Sequence, residues 1–337
     1  MIAKDKRTLF IPGARNIERD ILQFISPEIR KVLQNVGIQR LRLMEEIRLR
    51  AGRPLMVQNY GGSWFVSADG TLSRMDKGSY VVEQNEIIKT LELITENSVY
   101  AYQEEIRRGY ITLKGGHRVG IAGKTVMEDG YVKNIKDISG LNIRISKEVP
   151  GCSTEVIKYV LNGSNSIFNT LIVSPPQCGK TTMLRDMARL LSEGCPEKGI
   201  PGLKIGIVDE RSEIAACFKG LPQHDIGVQS DVLDGCPKSI GMVMMIRAMS
   251  PQVIITDEIG GYGDKEAIIS VLNAGVKILA SAHGFNISEL KSRREVLSLI
   301  EEKAFERFIV LSNANGPGTL EEVIDGSTMH IIYKRGH

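Results

Sequence analysis

Residues 174–182 read Ser-Pro-Pro-Gln-Cys-Gly-Lys-Thr-Thr. They follow an apolar run, Thr170-Leu-Ile-Val173, and lead into helical periodicity over 180–192. A glycine-containing turn between a strand and the start of a helix is a cradle for phosphate. Gly179 has no Cβ, so the backbone can come close to an anion. The N–H groups of the first helical turn point at that anion, and the helix dipole favours negative charge there. Lys180 is expected to reach the β- and γ-phosphates, and the Thr181 hydroxyl to bind Mg²⁺. Ser174, Pro175, Pro176, Gln177, Cys178 and Thr182 complete the expected ATP-binding loop. Ser174 stands where the usual G-x-x-x-x-G-K-[ST] pattern has its first glycine. If that position needs a positive φ, serine there costs about 1 kcal/mol or more.

A second apolar run, Val253-Ile-Ile-Thr256, ends in Asp257-Glu258, 77 residues beyond Lys180. One carboxylate at such a strand end can hold a metal-bound water, and the next can activate the attacking water. Asp257 is assigned to the metal and Glu258 to the base. A third run ends in Val208-Asp-Glu-Arg-Ser-Glu213. Asp209 and Glu210 could add metal or water contacts there, or simply pair with Arg211. A fourth ends in Ser281-Ala-His283-Gly284. His283 could touch the γ-phosphate and report its loss, or be satisfied by loop backbone.

These groups act together only if their strand ends share one edge. Ligands of open α/β sheets bind at the carboxyl ends of the strands. Continuous apolar strands at 170–173, 204–208, 253–255 and 277–280 alternate with helical stretches at 180–192, 238–249 and 264–274. That rhythm indicates a parallel sheet covered by helices on both faces. Residues 1–147 read differently. A helix is expected over 16–36, alternating strands at 46–50 and 55–58, a helix near 84–97, and a glycine-rich β segment from 110 to 145. The expected organisation is an α+β domain over 1–147, a linker at 148–153 around Pro150-Gly151, and an α/β domain over 154–337.

The 337 residues suffice for two cores. Cys152, Cys178, Cys195, Cys217 and Cys236 form no CxxC pair, which argues against a zinc site or disulfide framework and for a reducing cytosol. Residues 1–16 lack the apolar core of a signal peptide, and no run has the apolar length of a spanning helix. Residues 1–150 carry 24 Lys/Arg against 18 Asp/Glu, and the remainder 19 against 22. That excess is ordinary between domains, or marks a surface for an acidic partner. Aromatics at 5% of the chain give nucleic-acid binding no support.

The four motifs, in this order, resemble the secretion-ATPase branch of the RecA-like P-loop ATPases, found in type II and type IV secretion and pilus systems. More narrowly, the chain resembles the stage III sporulation protein AA family of endospore-forming bacteria. Glu46-Ile-Arg-Leu-Arg-Ala-Gly-Arg-Pro54, Val208-Asp-Glu-Arg-Ser-Glu-Ile-Ala215, Asp231-Val-Leu-Asp-Gly-Cys-Pro-Lys238, Ile246-Arg-Ala-Met-Ser-Pro251 and Asp257-Glu-Ile-Gly260 carry that likeness. It implies a cytoplasmic ATPase using ATP and Mg²⁺, a homohexamer, docked on a membrane complex between mother cell and forespore. It also implies a site completed by arginines, of which Arg144 and Arg211 adjoin motifs; Arg107, Arg108, Arg118 and Arg247 are further candidates. The chain departs from the family loop at Ser174 and Gln177, both glycine in the pattern. Two alternatives share the same core: a nucleotide-gated assembly scaffold with little hydrolysis, and a nucleic-acid translocase.

Overall fold

The computed structural model of the chain describes residues 17–59, 61–163, 165–194 and 201–336; residues 1–16 and Cys195 lie outside them. The chain divides into two units, Met1–Lys147 and Glu148–His337.

In the first unit the helix expected over 16–36 is broken. It becomes α1 (Ile17–Asp20), a 3-10 turn at Leu22–Phe24, and α2 (Pro27–Val36). Ser26 and Pro27 are the cause. Proline at the first helical position is pre-set for a helix start and pushes the preceding residue out of helical geometry. Ser26 accordingly has φ −49° and ψ 146° and accepts the Ile29 N–H on its hydroxyl. The Ser26 N–H is then free to donate to Thr90 Oγ1 at 3.0 Å. After α3 (Ile38–Arg42) come β1 (Glu46–Arg50), β2 (Arg53–Pro54), β3 (Met56–Asn59), β4 (Gly62–Val66), β5 (Leu72–Ser73) and β6 (Val81–Val82). Helices α4 (Gln84–Ile94) and α5 (Gln103–Arg107) precede β7 (Tyr110–Thr112), β8 (Arg118–Glu128) and β9 (Tyr131–Arg144). Seven strands form one antiparallel sheet in the order β5-β4-β3-β1-β9-β8-β7, and β2 pairs with β6 apart from it. Ile47, Leu49, Val57, Val119, Leu141 and Ile143 put one face of this sheet against Ile29, Leu33, Ile87 and Leu91 of the helices. The β8–β9 ribbon runs on past that core, with Met127 and Tyr131 exposed near its tip.

The second unit opens with α6 (Ile157–Val160), β10 (Thr170–Ser174), α7 (Lys180–Glu193), β11 (Ile205–Asp209) and β12 (Ser230–Asp234). It continues through α8 (Lys238–Met249), β13 (Val253–Thr256), α9 (Asp264–Asn273), β14 (Lys277–His283), α10 (Ile287–Leu290) and α11 (Arg294–Glu301), and closes with β15 (Arg307–Ser312), β16 (Thr319–Asp325) and β17 (Ile331–Lys334). The strand order is β12-β11-β13-β14-β10-β15-β16-β17. The six strands from β12 to β15 pair in parallel; β16 and β17 add on antiparallel. Alternate residues feed two cores. Ile172, Ile207 and Ile255 pack on the face that carries Met183, Leu184 and Met187 of α7. Leu171, Val173 and Ile254 pack on the face that carries Met242, Ile268 and Val296 of α8, α9 and α11. Burial on both faces is why these strands read as unbroken apolar runs.

Residues 148–153 are bonded into this second unit. Glu148 Oε1 lies 2.9 Å from His224 Nδ1 and accepts the Asp225 N–H at 2.9 Å. Asp186, in the middle of α7, accepts N–H bonds from Gly151 at 3.0 Å and Ser153 at 2.8 Å, and the Ser153 hydroxyl at 2.7 Å. Burial alone would raise the Asp186 carboxyl; the Ser153 donors, Gly151 and Arg189 outweigh it and hold the group below its usual range.

Candidate functional site

The sheet order sets the site. Strand β14 lies between β10 and β13, so the group ending β14 falls between the groups ending its neighbours. In register, His283 pairs with Ser174. The turn after β10 brings Lys180 back over that strand end. Its Nζ donates to the carbonyls of Ser174 at 2.8 Å and Pro175 at 2.9 Å, and sits 3.0 Å from His283 Nδ1. On the other side of the ring, His283 Nε2 is 2.7 Å from Glu258 Oε1. Glu258 Oε2 pairs with Arg211, whose side chain is 54% exposed. An ammonium can only donate to Nδ1, so the network assigns the Nε2–H tautomer, donating to Glu258. Lys180, His283, Glu258 and Arg211 thus form one hydrogen-bonded line across the ends of four strands, β10, β14, β13 and β11. Lys180 is 6% exposed, and burial lowers its proton affinity.

Backbone geometry keeps the line open to a ligand. Gly179 has φ 82° and caps α7; an added Cβ would also lie 3.2 Å from the Gly318 nitrogen. Gly318 in turn donates to the Cys178 carbonyl at 2.9 Å. Ser174 closes β10 and is not among the residues with positive φ, so the strain considered for serine there does not arise. It arises at Gln177, with φ 61°. Left-handed backbone costs a residue with a Cβ roughly 1–2 kcal/mol, whereas glycine adopts it freely but loses more freedom on folding. Gln177→Gly is therefore expected to leave stability within about 1 kcal/mol of wild type. Gln177→Val, branched at Cβ, is expected to lose about 1–2 kcal/mol. Urea melts of the two variants check this, and equal stabilities would contradict the loop conformation.

Glu258 also has positive φ, 45°. Its N–H donates to Ser281 Oγ at 3.1 Å, and the Ile259 N–H donates to the Ser281 carbonyl at 2.8 Å. Ser281 therefore holds the strained turn that aims the carboxylate, as expected where strain serves a site.

Asp257 is fully buried, and neither carboxylate oxygen has a hydrogen-bond partner among the described residues. Burial, followed by the charge of Asp209, pushes its carboxyl up to about 7. An orphaned buried carboxylate is costly unless something neutralises it. A divalent cation would supply that neutralisation, with Asp257 as the carboxylate to hold it. No cluster of three or more His, Cys, Asp or Glu able to hold a metal occurs among the described residues. Mg²⁺ suits such a site, because it binds through one or two carboxylates plus substrate phosphates. Asp209 and Glu210, the other metal candidates, are otherwise engaged. Asp209 brackets its turn, accepting the N–H of Glu213 at 2.8 Å and of Ala215 at 2.9 Å. Glu210 pairs with Lys238.

Arg144 ends β9 in the first unit, in register with Glu46 and Arg118. Arg107 bonds Glu104 and the Lys133 carbonyl, and Arg118 stacks on Tyr110. The four described cysteines are free thiols, and burial raises Cys152 and Cys217 to about 12. No helix among the described residues is long and apolar enough to cross a membrane. Ser281 lies inside the fourth motif, but nothing in the sequence marks it as the residue that holds the Glu258 turn.

Solved structures share the fold. The Legionella pneumophila ATPase DotB matches with TM-score 0.54 and 14% identity, over 88% of this chain and 80% of that one. The pilus retraction motor PilT, with bound ADP, matches with TM-score 0.52 and 15% identity, over 86% and 77%. At these identities the likeness is one of fold. In sequence, stage III sporulation protein AA of Bacillus subtilis (strain 168) is 43% identical over 306 residues, covering 91% of this chain and 94% of that protein. The family model described as sporulation stage III, protein AA matches residues 15–331. The chain belongs to that sporulation family.

Proposed function

We propose that the chain binds and hydrolyses ATP as a secretion-type motor, working as a homohexamer on a membrane complex between mother cell and forespore. The observation that carries this reading is the line Lys180–His283–Glu258 beside the unpartnered Asp257, all at the carboxyl ends of neighbouring parallel strands. Its chemistry follows from the groups present. Lys180, held by two carbonyls and an imidazole, can exchange one of them for a phosphate oxygen. Glu258 can accept the proton of the attacking water once His283 or Arg211 releases an oxygen. His283 joins Lys180 to Glu258, so a change at the terminal phosphate reaches the base through one ring. A divalent cation on Asp257 and Thr181 would offset charge on the phosphates.

The experiment is ATP turnover by the full chain at rising protein concentration, beside Lys180→Ala and Glu258→Gln. Turnover that rises in specific activity with concentration and vanishes in both variants supports the motor. A wild type that binds no ATP sinks the reading. A second reading, a nucleotide-gated scaffold, is favoured by the engagement of both Glu258 oxygens, with Arg211 and His283. It predicts ATP binding without turnover at any concentration.

A further inference from the structure

We infer that Asp264, in the first turn of α9, is the positioning residue that holds the base Glu258 in its working direction. The inference rests on the base role given to Glu258 above and adds to it a residue that no motif marks.

The turn after β13 runs through Glu258-Ile-Gly-Gly-Tyr-Gly263. It starts from a strained point, since Glu258 has φ 45°. A residue with a Cβ stays in that region only where its surroundings over-determine it. Four consecutive amides do so here. Those of Glu258 and Ile259 donate to the hydroxyl and the carbonyl of Ser281, at 3.1 and 2.8 Å. Those of Gly260 and Gly261 both donate to Asp264 Oδ2, at 3.0 and 2.8 Å. The turn is thus held at two points, Ser281 on β14 and Asp264 on α9.

The Asp264 half would otherwise be slack. Gly260 and Gly261 have no side chains to pack, and Gly260 sits at φ 127°, which favours glycine. Val296 of α11 lies against Gly260, where a Cβ would be 3.5 Å away, but an apolar contact has no direction. A carboxylate oxygen accepting two N–H bonds does. Asp264 is itself fixed: it is 4% exposed, and Ala267, Ile268 and Val271 pin its helix in the core. The first turn of a helix favours negative charge, and an ionised acceptor bonds amides more strongly than a neutral one. Among the described residues, the Asp264 side chain bonds this turn alone. It therefore acts on turnover through Glu258 and not through the phosphates. Displacing a reacting group by about 1 Å can cost about 10²-fold in rate.

The test is ATP turnover and ATP affinity of the full chain, the latter by displacement of a fluorescent ATP analogue with Mg²⁺. Wild type is compared with Asp264→Ala, Asp264→Asn, Asp264→Glu, Glu258→Gln and the Asp264→Ala, Glu258→Gln double variant. Asp264→Ala is expected to lower kcat about 10–100-fold with ATP affinity within about threefold of wild type. Asp264→Asn keeps an acceptor oxygen at the same reach and should recover kcat to within about fivefold. Asp264→Glu keeps the charge but moves the oxygens by a methylene, and should lose as much as alanine. In the Glu258→Gln background, Asp264→Ala should change the residual turnover less than about threefold, because residues that act as a unit are not additive. Wild-type kcat in Asp264→Ala overturns the assignment. So does recovery by glutamate rather than asparagine, since charge then matters and position does not. An equal loss in both backgrounds, or a loss of ATP affinity that matches the loss of kcat, overturns it as well. If Asp264→Ala does not fold, the asparagine and glutamate variants decide alone. If wild type does not turn over, or Glu258→Gln turns over as fast, the base reading fails and takes this inference with it.

Discussion

Glu258→Gln is expected to bind ATP about as tightly as wild type and to turn it over about 10²–10⁴-fold more slowly. The substitution keeps the size of the side chain and one carbonyl oxygen, so the Nε2–H of His283 still has an acceptor. It removes the basic oxygen and the charge that pairs with Arg211. The phosphate contacts belong to Lys180 and the loop, which the change does not touch. Lys180→Ala differs: it removes a buried ammonium bonded to two carbonyls and to His283, so binding and turnover should both fall. Nucleotide titration beside a phosphate-release assay separates the two patterns. Wild-type turnover in Glu258→Gln would remove Glu258 from the base role.

Asp257→Asn is expected to stabilise the nucleotide-free protein while abolishing its response to Mg²⁺ and ATP. The Asp257 carboxyl is raised from 3.8 to about 7, by burial first and then by Asp209. A carboxyl whose folded pKa exceeds its unfolded value takes up protons on folding between the two. Stability from this group is therefore full below about 4, falls as pH rises to about 7, and stays low above that. A shift of this size corresponds to a few kcal/mol, on the order of 2–4. Asparagine removes the charge but leaves a buried amide without partners, which costs about 1–3 kcal/mol. The centres of these ranges leave a gain of about 1 kcal/mol at pH 8, shrinking at pH 5. Thermal melts at the two pH values, with and without Mg²⁺ and ATP, measure it. Lower stability of Asp257→Asn at pH 8 would mean that the carboxylate has a partner in the free protein.

The parts legible in the sequence are those with one dominant physical cause. β10, β13 and β14 are buried on both faces, so Leu171, Ile172 and Val173 must all be apolar, and the run announces itself. β12, β16 and β17 lie on one side or at the edge of the sheet and are half-exposed, so Ser230-Asp-Val-Leu-Asp234 carries no such run. The break at Ser26 hid behind apolar residues that keep helical spacing on either side of it. In the site, the motifs marked which strand ends carry charge, but not what each charge faces. Asp209 and Asp257 both end apolar strands; one brackets backbone amides and the other is left open. What distinguishes them is the turn after β11, which folds the amides of Glu213 and Ala215 back onto Asp209.

The bonds made by Glu148, Gly151 and Ser153 fix where the second unit can be severed. A fragment beginning at Glu148 keeps its His224 contact and all three donors on Asp186. One beginning at Thr154 would strip those three donors from a buried carboxylate in the middle of α7, leaving it Arg189 alone, and α7 is the helix whose first turn carries Lys180 and Thr181. The shorter piece would thus be weakened at the element that forms the phosphate cradle. A protease that trims the chain toward residue 154 should meet resistance at residue 148, six residues before sequence composition alone would place the start of the folded unit.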